Sequence, residues 1–176
     1  MTKFVNIAVG FMLAGSAIAV SAQTPPPPPP PEAKTQAAAY VTAAGQSDLY
    51  EIESSRLAVQ KASKPAVRQY ADMLIKHHQK TTAATLAAAR KAGMNPAPPQ
   101  PNPGAQASIS ELQSASGANF DRLYLAQQVP AHRAALSLHQ SYGANGDQAA
   151  LRTSAKAAVP IVQQHLTAAE KMQRGQ

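Results

Sequence analysis

The chain contains no cysteine. It therefore has no disulfide framework, no thiolate metal site, no cysteine nucleophile and no cysteine for lipid attachment. It also lacks the Gly-rich phosphate loop, the Gly-x-Ser-x-Gly elbow and the His-Glu-x-x-His helix on which nucleotide, acyl-transfer and zincin chemistry depend. Because these motifs are absent, the sequence supports no enzyme class, and we do not predict an enzyme.

Long apolar runs are confined to the N-terminus, where residues 1–22 have the pattern of a secretory signal peptide. Lys3 provides a basic start, residues 4–20 are mostly apolar, and Ser21 and Ala22 are small residues suited to cleavage. The apolar stretch is shorter than the roughly 20 residues that span a bilayer. We predict cleavage after Ala22, export to the periplasm or cell envelope, and a soluble mature chain without a transmembrane segment.

Acidic residues are also scarce, with 9 against 16 basic ones. Removal of Lys3 with the signal peptide leaves 15 basic residues and a formal charge of +6. The basic residues are scattered along helical segments without interleaved aromatic residues, which is typical of solvated helix faces. We therefore predict no nucleic-acid partner and only weak association with anionic envelope surfaces. The sequence identifies no protein partner.

Proline, in contrast, is concentrated in residues 25–31, which are seven consecutive prolines. They have no backbone donors and predict a polyproline II rod of roughly 20 Å, at about 3.1 Å per residue. We interpret residues 23–34 as a stiff linker, with a ligand for a proline-reading partner as the alternative. The domain itself is predicted to occupy residues 35–176.

Beyond the prolines, apolar residues recur at helical spacing in an alanine-rich chain. Prolines and glycines divide it into four long helical segments, residues 35–62, 65–92, 117–142 and 147–172. Residues 94–107 are too rich in proline for regular structure, and residues 108–114 are predicted to form a short helix. Ser63 is predicted to cap the second long helix and Gly93 to end it. The pattern predicts an all-α, up-down four-helix bundle with a long Pro-rich connection between helices 2 and 3.

The third and fourth long helices each carry a proline near the middle, Pro130 and Pro160. Neither residue has an N–H to donate, so we expect a bend in each helix and free carbonyl groups at Ala126 and Lys156. One interpretation is that the bends help the helices to wrap around the core. The other is a polar opening in the middle of the bundle.

Three histidines, His78, His132 and His165, fall at positions that face inward on three different long helices. Glu51, His78 and His132 each lie about 20 to 22 Å from the start of their helices, so an up-down-up-down bundle places them at one height. His165 lies about 27 Å along the fourth helix, one or two turns away from that level. The sequence therefore permits a site of Glu51, His78 and His132 with His165 at its edge, and with His77 as an additional ligand.

Imidazole nitrogens together with one carboxylate suit copper, zinc or iron. The predicted function on this interpretation is an exported module that binds a transition metal or a small polar ligand through Glu51, His78, His132 and His165. The alternative is a non-catalytic structural or protein-interaction module, in which each histidine bonds internally to a carbonyl or a tyrosine. The sequence leaves both interpretations open.

Four runs occur in a recognisable order: GQSDLYEIESS at residues 45–55, YADMLIKHHQK at residues 70–80, FDRLY at residues 120–124, and VPIVQQHL at residues 159–166. Together they resemble the bacterial family catalogued as domain of unknown function 4142, over about residues 38–172. The resemblance implies a ferritin-like fold and export. The positions that recur in the family correspond, in this chain, to Glu51, His78, Phe120, Asp121, Tyr124, His132, Pro160 and His165. The family often has Asp-His where this chain has His77 and His78.

The resemblance to a ferritin-like fold does not imply iron oxidation. A carboxylate di-iron centre needs glutamates on two helices and a Glu-x-x-His motif on each of the others. The sequence contains no Glu-x-x-His, so no carboxylate di-iron centre is expected. The family is often labelled an outer membrane protein, a label that the lack of later apolar segments does not support.

Overall fold

The regular structure of residues 25–176, the range that the computed structural model describes, is helical. A 3-10 turn at Pro31–Lys34 precedes five α-helices: α1 (Ala37–Lys61), α2 (Pro65–Lys91), α3 (Pro103–Ser114), α4 (Gly117–Asn145) and α5 (Ala149–Arg174). The predicted all-α class is confirmed. Within this range, none of the helices is both long enough and apolar enough to cross a membrane. The predicted signal peptide, residues 1–22, lies outside the described residues.

The start of α2 depends on a carboxylate from another helix. Pro65 lies in the first turn, as its fixed φ favours. Asp121 on α4 accepts hydrogen bonds from the Ser63 and Lys64 backbone amides, both at 2.9 Å, and from the Ser63 hydroxyl at 2.6 Å. The predicted Ser63 cap is therefore wrong, because a buried carboxylate is a stronger acceptor than a hydroxyl. Gly93 follows α2 with a φ of +78°, a conformation that favours glycine, and ends the helix as predicted.

The connection between α2 and α4 is more regular than the sequence predicted. Residues 94–102 are irregular, but α3 begins at Pro103. A proline in the first turn loses no helical hydrogen bond, and the Asn102 side chain accepts from the Gly104 amide at 2.9 Å. The prediction of no regular structure is therefore wrong for residues 103–107.

α4 runs parallel to α2, and both run antiparallel to α1. Buried hydrogen bonds pair successively later residues of α1 with successively earlier residues of α4: Tyr40 with His139, Tyr50 with Gln127, and Ser55 with Tyr124. A parallel bridge between Ala62 and Gly117 places the starts of α2 and α4 at the same end. The expected up-down-up-down order is wrong at this connection, because the long segment returns the chain to the end where α2 begins.

Two apolar clusters lie towards opposite ends of the long helices, with a polar layer between them. One cluster contains Leu74, Phe120 and Tyr124, and the other contains Tyr40 and Tyr142. The layer between them consists of buried polar residues from all four long helices: Asp48, Glu51, Ser54, His78, Gln128, His132 and His165. α5 packs against both α2 and α4 and closes this layer.

The interior prolines of α4 and α5 do not interrupt their helices. Pro160 is exposed and Pro130 is half-buried, so neither ring lines the polar layer. The predicted bends and free carbonyl groups stay predictions.

The N-terminal prolines lie against the helices. Residues 26–30 line a cavity of about 60 Å³ together with Tyr50, Ala105 and Ala131, which belong to α1, α3 and α4. A Cβ atom added to Gly104 would lie 2.7 Å from Cδ of Pro27, so this close approach depends on glycine. The segment thus covers part of the helical surface, and its role as a linker stays a prediction.

Candidate metal centre

The three inward histidines meet in the polar layer. His78 comes from α2, His132 from α4 and His165 from α5, and each is at most 2% exposed. One ring nitrogen of each lies within 4.8 Å of a ring nitrogen of both others. The ring centroids are 5.6, 5.2 and 5.4 Å apart. His132 stays level with His78 despite the direction of α4, because it lies near the middle of its helix. His165, expected at the edge of the site, lies within it.

Each of these rings is held through its other nitrogen. His78 Nδ1 lies 2.7 Å from Oδ1 of Asp48, and His132 Nδ1 donates to the backbone carbonyl of Gln128 at 2.9 Å. His165 Nε2 lies 2.8 Å from Nδ1 of His77. A histidine that binds a metal commonly donates its second N–H to a carboxylate, a carbonyl or a similar acceptor, which fixes the tautomer and the ring orientation. The three rings have this arrangement.

The remaining ring nitrogens have no hydrogen-bond partner among residues 25–176. The buried side-chain atoms without a partner in this range are His78 Nε2, His132 Nε2, His165 Nδ1, both carboxyl oxygens of Glu51, and Oε1 of Gln128. All six belong to the polar layer. Nε2 of His132 and Nδ1 of His165, in neutral rings, and the amide oxygen are acceptors. Nε2 of His78 and the Glu51 oxygens become acceptors when a bound ion displaces their protons. Buried acceptors without donors are rare and costly, so this concentration in one layer calls for a ligand.

Glu51, the fourth predicted ligand, lies beside the nitrogen cluster and not in it. Its Oε1 atom is 3.5 Å from His132 Nδ1, the nitrogen that already bonds to a carbonyl. Burial raises the pKa of Glu51 to about 8, although His78 and Gln128 counteract this. A nearby cation would favour the ionised carboxylate.

The ring pKa values differ within the cluster. Burial and the neighbouring His78 lower the pKa of His132 to about 3, and burial with the surrounding histidines lowers that of His165 to about 2. These two rings are neutral at physiological pH and present lone pairs. For His78, burial lowers the pKa, but the hydrogen bond and charge of Asp48, with the charge of Glu51, raise it overall. A metal bound there would replace the Nε2 proton.

Sequence reasoning missed Asp48 and Gln128. Asp48 is 5% exposed and also accepts from the hydroxyl groups of Thr81 and Thr82, at 2.9 and 2.8 Å. The available signal was spacing, because Asp48 precedes Glu51 by one helical turn and Gln128 precedes His132 by one turn, on the same faces. His77 is half-exposed, and it touches the cluster through His165 and not as a member of it.

The fold and the site define an all-helical protein with a buried cluster of three histidines, each held by a hydrogen bond to a residue outside the cluster. The chain belongs to the family described as "Domain of unknown function (DUF4142)", whose profile matches residues 22–172. The resemblance noted in the sequence is confirmed. No curated protein matches the chain.

Two solved structures share its fold. One, described as "CopM in the Cu(II)-bound form", is 15% identical, with a TM-score of 0.67, and the match covers 80% of this chain and 97% of that one. The other, "CopM in the Cu(I)-bound form", is also 15% identical, with a TM-score of 0.68, and the match covers 80% and 96%. At this identity the likeness shows the fold alone.

Proposed function

We propose that this protein binds a transition-metal ion between α2, α4 and α5. The ligands are His78 Nε2, His132 Nε2 and His165 Nδ1. The observation that carries the proposal is the collection of unpartnered buried acceptors in one layer, among residues 25–176. A cation satisfies acceptors, whereas an anion or a second acceptor group would leave them unpaired.

Copper is the first candidate, with zinc and iron as the other ions that imidazole ligands suit. Two structures of the same fold, both described as CopM, carry copper in their descriptions, one as Cu(II) and one as Cu(I). Glu51 supplies a fourth, oxygen ligand if its side chain turns from His132 Nδ1 towards the ring nitrogens. Three imidazoles with the fourth position open are typical of a catalytic ion, whereas four protein ligands, with Glu51 as the fourth, are typical of a closed structural site.

We further infer that the protein is exported and acts in the cell envelope. The signal-peptide pattern of residues 1–22 supports this inference, and the family match begins at residue 22. The proposed architecture is a ferritin-like four-helix bundle of α1, α2, α4 and α5, with the Pro-rich segment and α3 as its long crossover.

The alternative is a structural or interaction module whose histidines are satisfied internally. His139 shows what such a histidine looks like, because its Nδ1 bonds to the Tyr40 hydroxyl at 3.0 Å. The facing nitrogens of His78, His132 and His165 have no such partner among residues 25–176. This contrast favours the metal site.

Metal content measured by mass spectrometry tests the proposal. The protein is expressed with its own signal sequence, purified without a histidine tag, and compared with a His78→Gln/His132→Gln double variant and with His139→Gln. We expect one ion per chain in the parent and in His139→Gln, and none in the double variant, with helical circular dichroism unchanged. A parent without metal after reconstitution with copper, zinc and iron would refute the proposal.

A further inference from the structure

The three-histidine cluster is closed to solvent. His132 and His165 are 0% exposed, His78 is 2% exposed, and Glu51 beside them is 1% exposed. Two apolar clusters cover the layer along the helix axes. An ion that binds here needs a path through the wall of the helices, and the path must end at one of the ligands.

His77 is the histidine that links this cluster to the surface. It is half-exposed on α2, and its Nδ1 atom lies 2.8 Å from Nε2 of His165. The two rings stack at an angle of 20°, with their centroids 5.1 Å apart. One side of His77 therefore touches a ligand ring while the other reaches solvent.

The three anchors of the ligand rings differ in chemistry. Asp48 and the Gln128 carbonyl are buried, and they serve His78 and His132 as proton acceptors. A carboxylate or carbonyl suffices to hold a ring in one tautomer. The third anchor, His77, is a partly exposed imidazole, which is itself a good ligand for copper or zinc. A residue that only had to orient His165 would need neither exposure to solvent nor a side chain that binds metal.

The seam between α2 and α5, where His77 and His165 meet, is lined by small side chains. A surface groove of about 390 Å³ follows this seam, and its lining includes Lys80, Ala84, Ala157 and Ile161. Lys80 follows His77 by about one helical turn, and Ile161 precedes His165 by about one turn. The groove therefore reaches to within about one helical turn of both rings.

We propose that His77 is the point at which a metal ion enters and leaves the buried site, and we call it the port. This inference rests on the proposed function. An ion from solvent binds first to the exposed His77 ring. The hydrogen bond between His77 and His165 then breaks and Nε2 of His165 keeps its proton. The ion moves to Nδ1 of His165 and to Nε2 of the two other rings, and the proton that it displaces from Nε2 of a protonated His78 passes to solvent. Release follows the same path in reverse.

Exchange kinetics separate a port from an anchor. Cu(II) uptake by the metal-free protein is followed by stopped-flow absorbance, and removal by EDTA is followed on the loaded protein, for the parent and His77→Ala. A port carries the ion into the site, so we expect the uptake rate of His77→Ala to fall on the order of ten-fold, in addition to any loss of affinity from removing the anchor of His165. If His77 only anchors His165, affinity should fall about 10- to 100-fold with uptake unchanged, and this result would overturn the proposal.

A charge variant tests the same path by a change that should speed uptake and not slow it. Lys80 is exposed and follows His77 by about one helical turn, so its charge lies close enough to repel an approaching cation. Lys80→Gln should therefore speed Cu(II) uptake about two-fold at low ionic strength, with the gain lost in salt. Lys91→Gln, the same change about 16 Å further along α2, is the matched control and should have no effect. Equal rates in the two variants would contradict entry at His77.

The outcomes also separate this proposal from the one on which it rests. If the parent binds none of copper, zinc and iron, both proposals fail. If the parent binds copper and His77→Ala exchanges it at the parental rate, the metal site stands and the port is refuted. Because His77 is half-exposed, its replacement leaves the buried packing intact, and circular dichroism of the variant verifies this.

Discussion

Nδ1 of His78 lies 2.7 Å from Oδ1 of Asp48, and both side chains are almost completely buried. The carboxylate fixes the ring so that Nε2 points at the other two histidines. It also makes the imidazole a stronger donor of electron density to a bound ion. Asp48 thus belongs to the proposed site although it does not touch the ion.

Asp48→Asn should weaken metal binding about 10- to 100-fold while the protein remains folded. The amide preserves the size of the side chain but removes the charge that supports His78. A competition titration with a chromogenic chelator measures the change. Asp72→Asn is the matched control, because Asp72 is exposed and pairs with Lys76 on the outer face of α2. Parental affinity in Asp48→Asn would show that this contact does not support the site.

The metal-free protein should be most stable at mildly acidic pH. Burial raises the pKa of Glu51 from 4.5 to about 8, so the unfolded state ionises first and stability falls as pH rises between these values. His78, whose folded-state pKa is also raised, adds to the decline above pH 6.5. Burial lowers the pKa of His132 from 6.5 to about 3 and that of His165 to about 2, so stability falls as pH drops below 6.5, and these two groups outweigh Glu51 there. Melting temperature measured in EDTA should peak at about pH 6 to 6.5.

Glu51→Gln isolates the alkaline part of that profile. The amide cannot ionise, so the fall in melting temperature between about pH 6.5 and pH 8 should be much smaller than in the parent. Glu53→Gln, two residues away on the same helix and half-exposed, serves as the control. An alkaline decline of parental size in Glu51→Gln would mean that Glu51 is ionised in the folded protein.

Copper should raise the melting temperature of the parent and leave that of His78→Gln/His132→Gln unchanged. A ligand that binds only the folded state at 100 times its dissociation constant stabilises it by about 2.7 kcal/mol. Differential scanning fluorimetry with and without Cu(II) measures the shift. Equal shifts in the two proteins would place the copper at surface residues.

Asp121→Ala should destabilise the fold without changing metal affinity. Asp121 is 0% exposed and accepts three hydrogen bonds at the start of α2, so its loss leaves buried donors unsatisfied. The expected cost is about 1 to 3 kcal/mol in urea unfolding. Ser63→Ala removes one of these bonds and should cost less. Stability of Asp121→Ala equal to that of the parent would contradict this account of the helix start.

The sequence predicted the helical segments and the inward positions of three histidines for physical reasons that act locally. Pro65 and Gly93 mark the ends of α2 through their backbone preferences, and the helical period places His78 among inward positions. Asp121 could not be assigned to the start of α2, since the two are far apart in the chain. A carboxylate on a helix is usually solvated, which is why Asp48 was missed.

The direction of α4 was unpredictable for a similar reason. A long connection can deliver the chain to either end of the neighbouring helices, and no local pattern in the Pro-rich segment decides between them. The mid-helix position of His132 made the site prediction insensitive to this error. His165 was placed too far from the others because equal starting heights were assumed for all four helices.

The three histidines come from helices that lie far apart in the sequence and are brought together only by tertiary packing. An unfolded chain therefore offers separate imidazoles that bind ions weakly, and the high-affinity constellation exists only after folding. A protein that crosses a membrane unfolded and folds afterwards would acquire its metal from the compartment in which it folds. The supply of ions in that compartment, together with the geometry of the rings, would then determine which metal the protein carries.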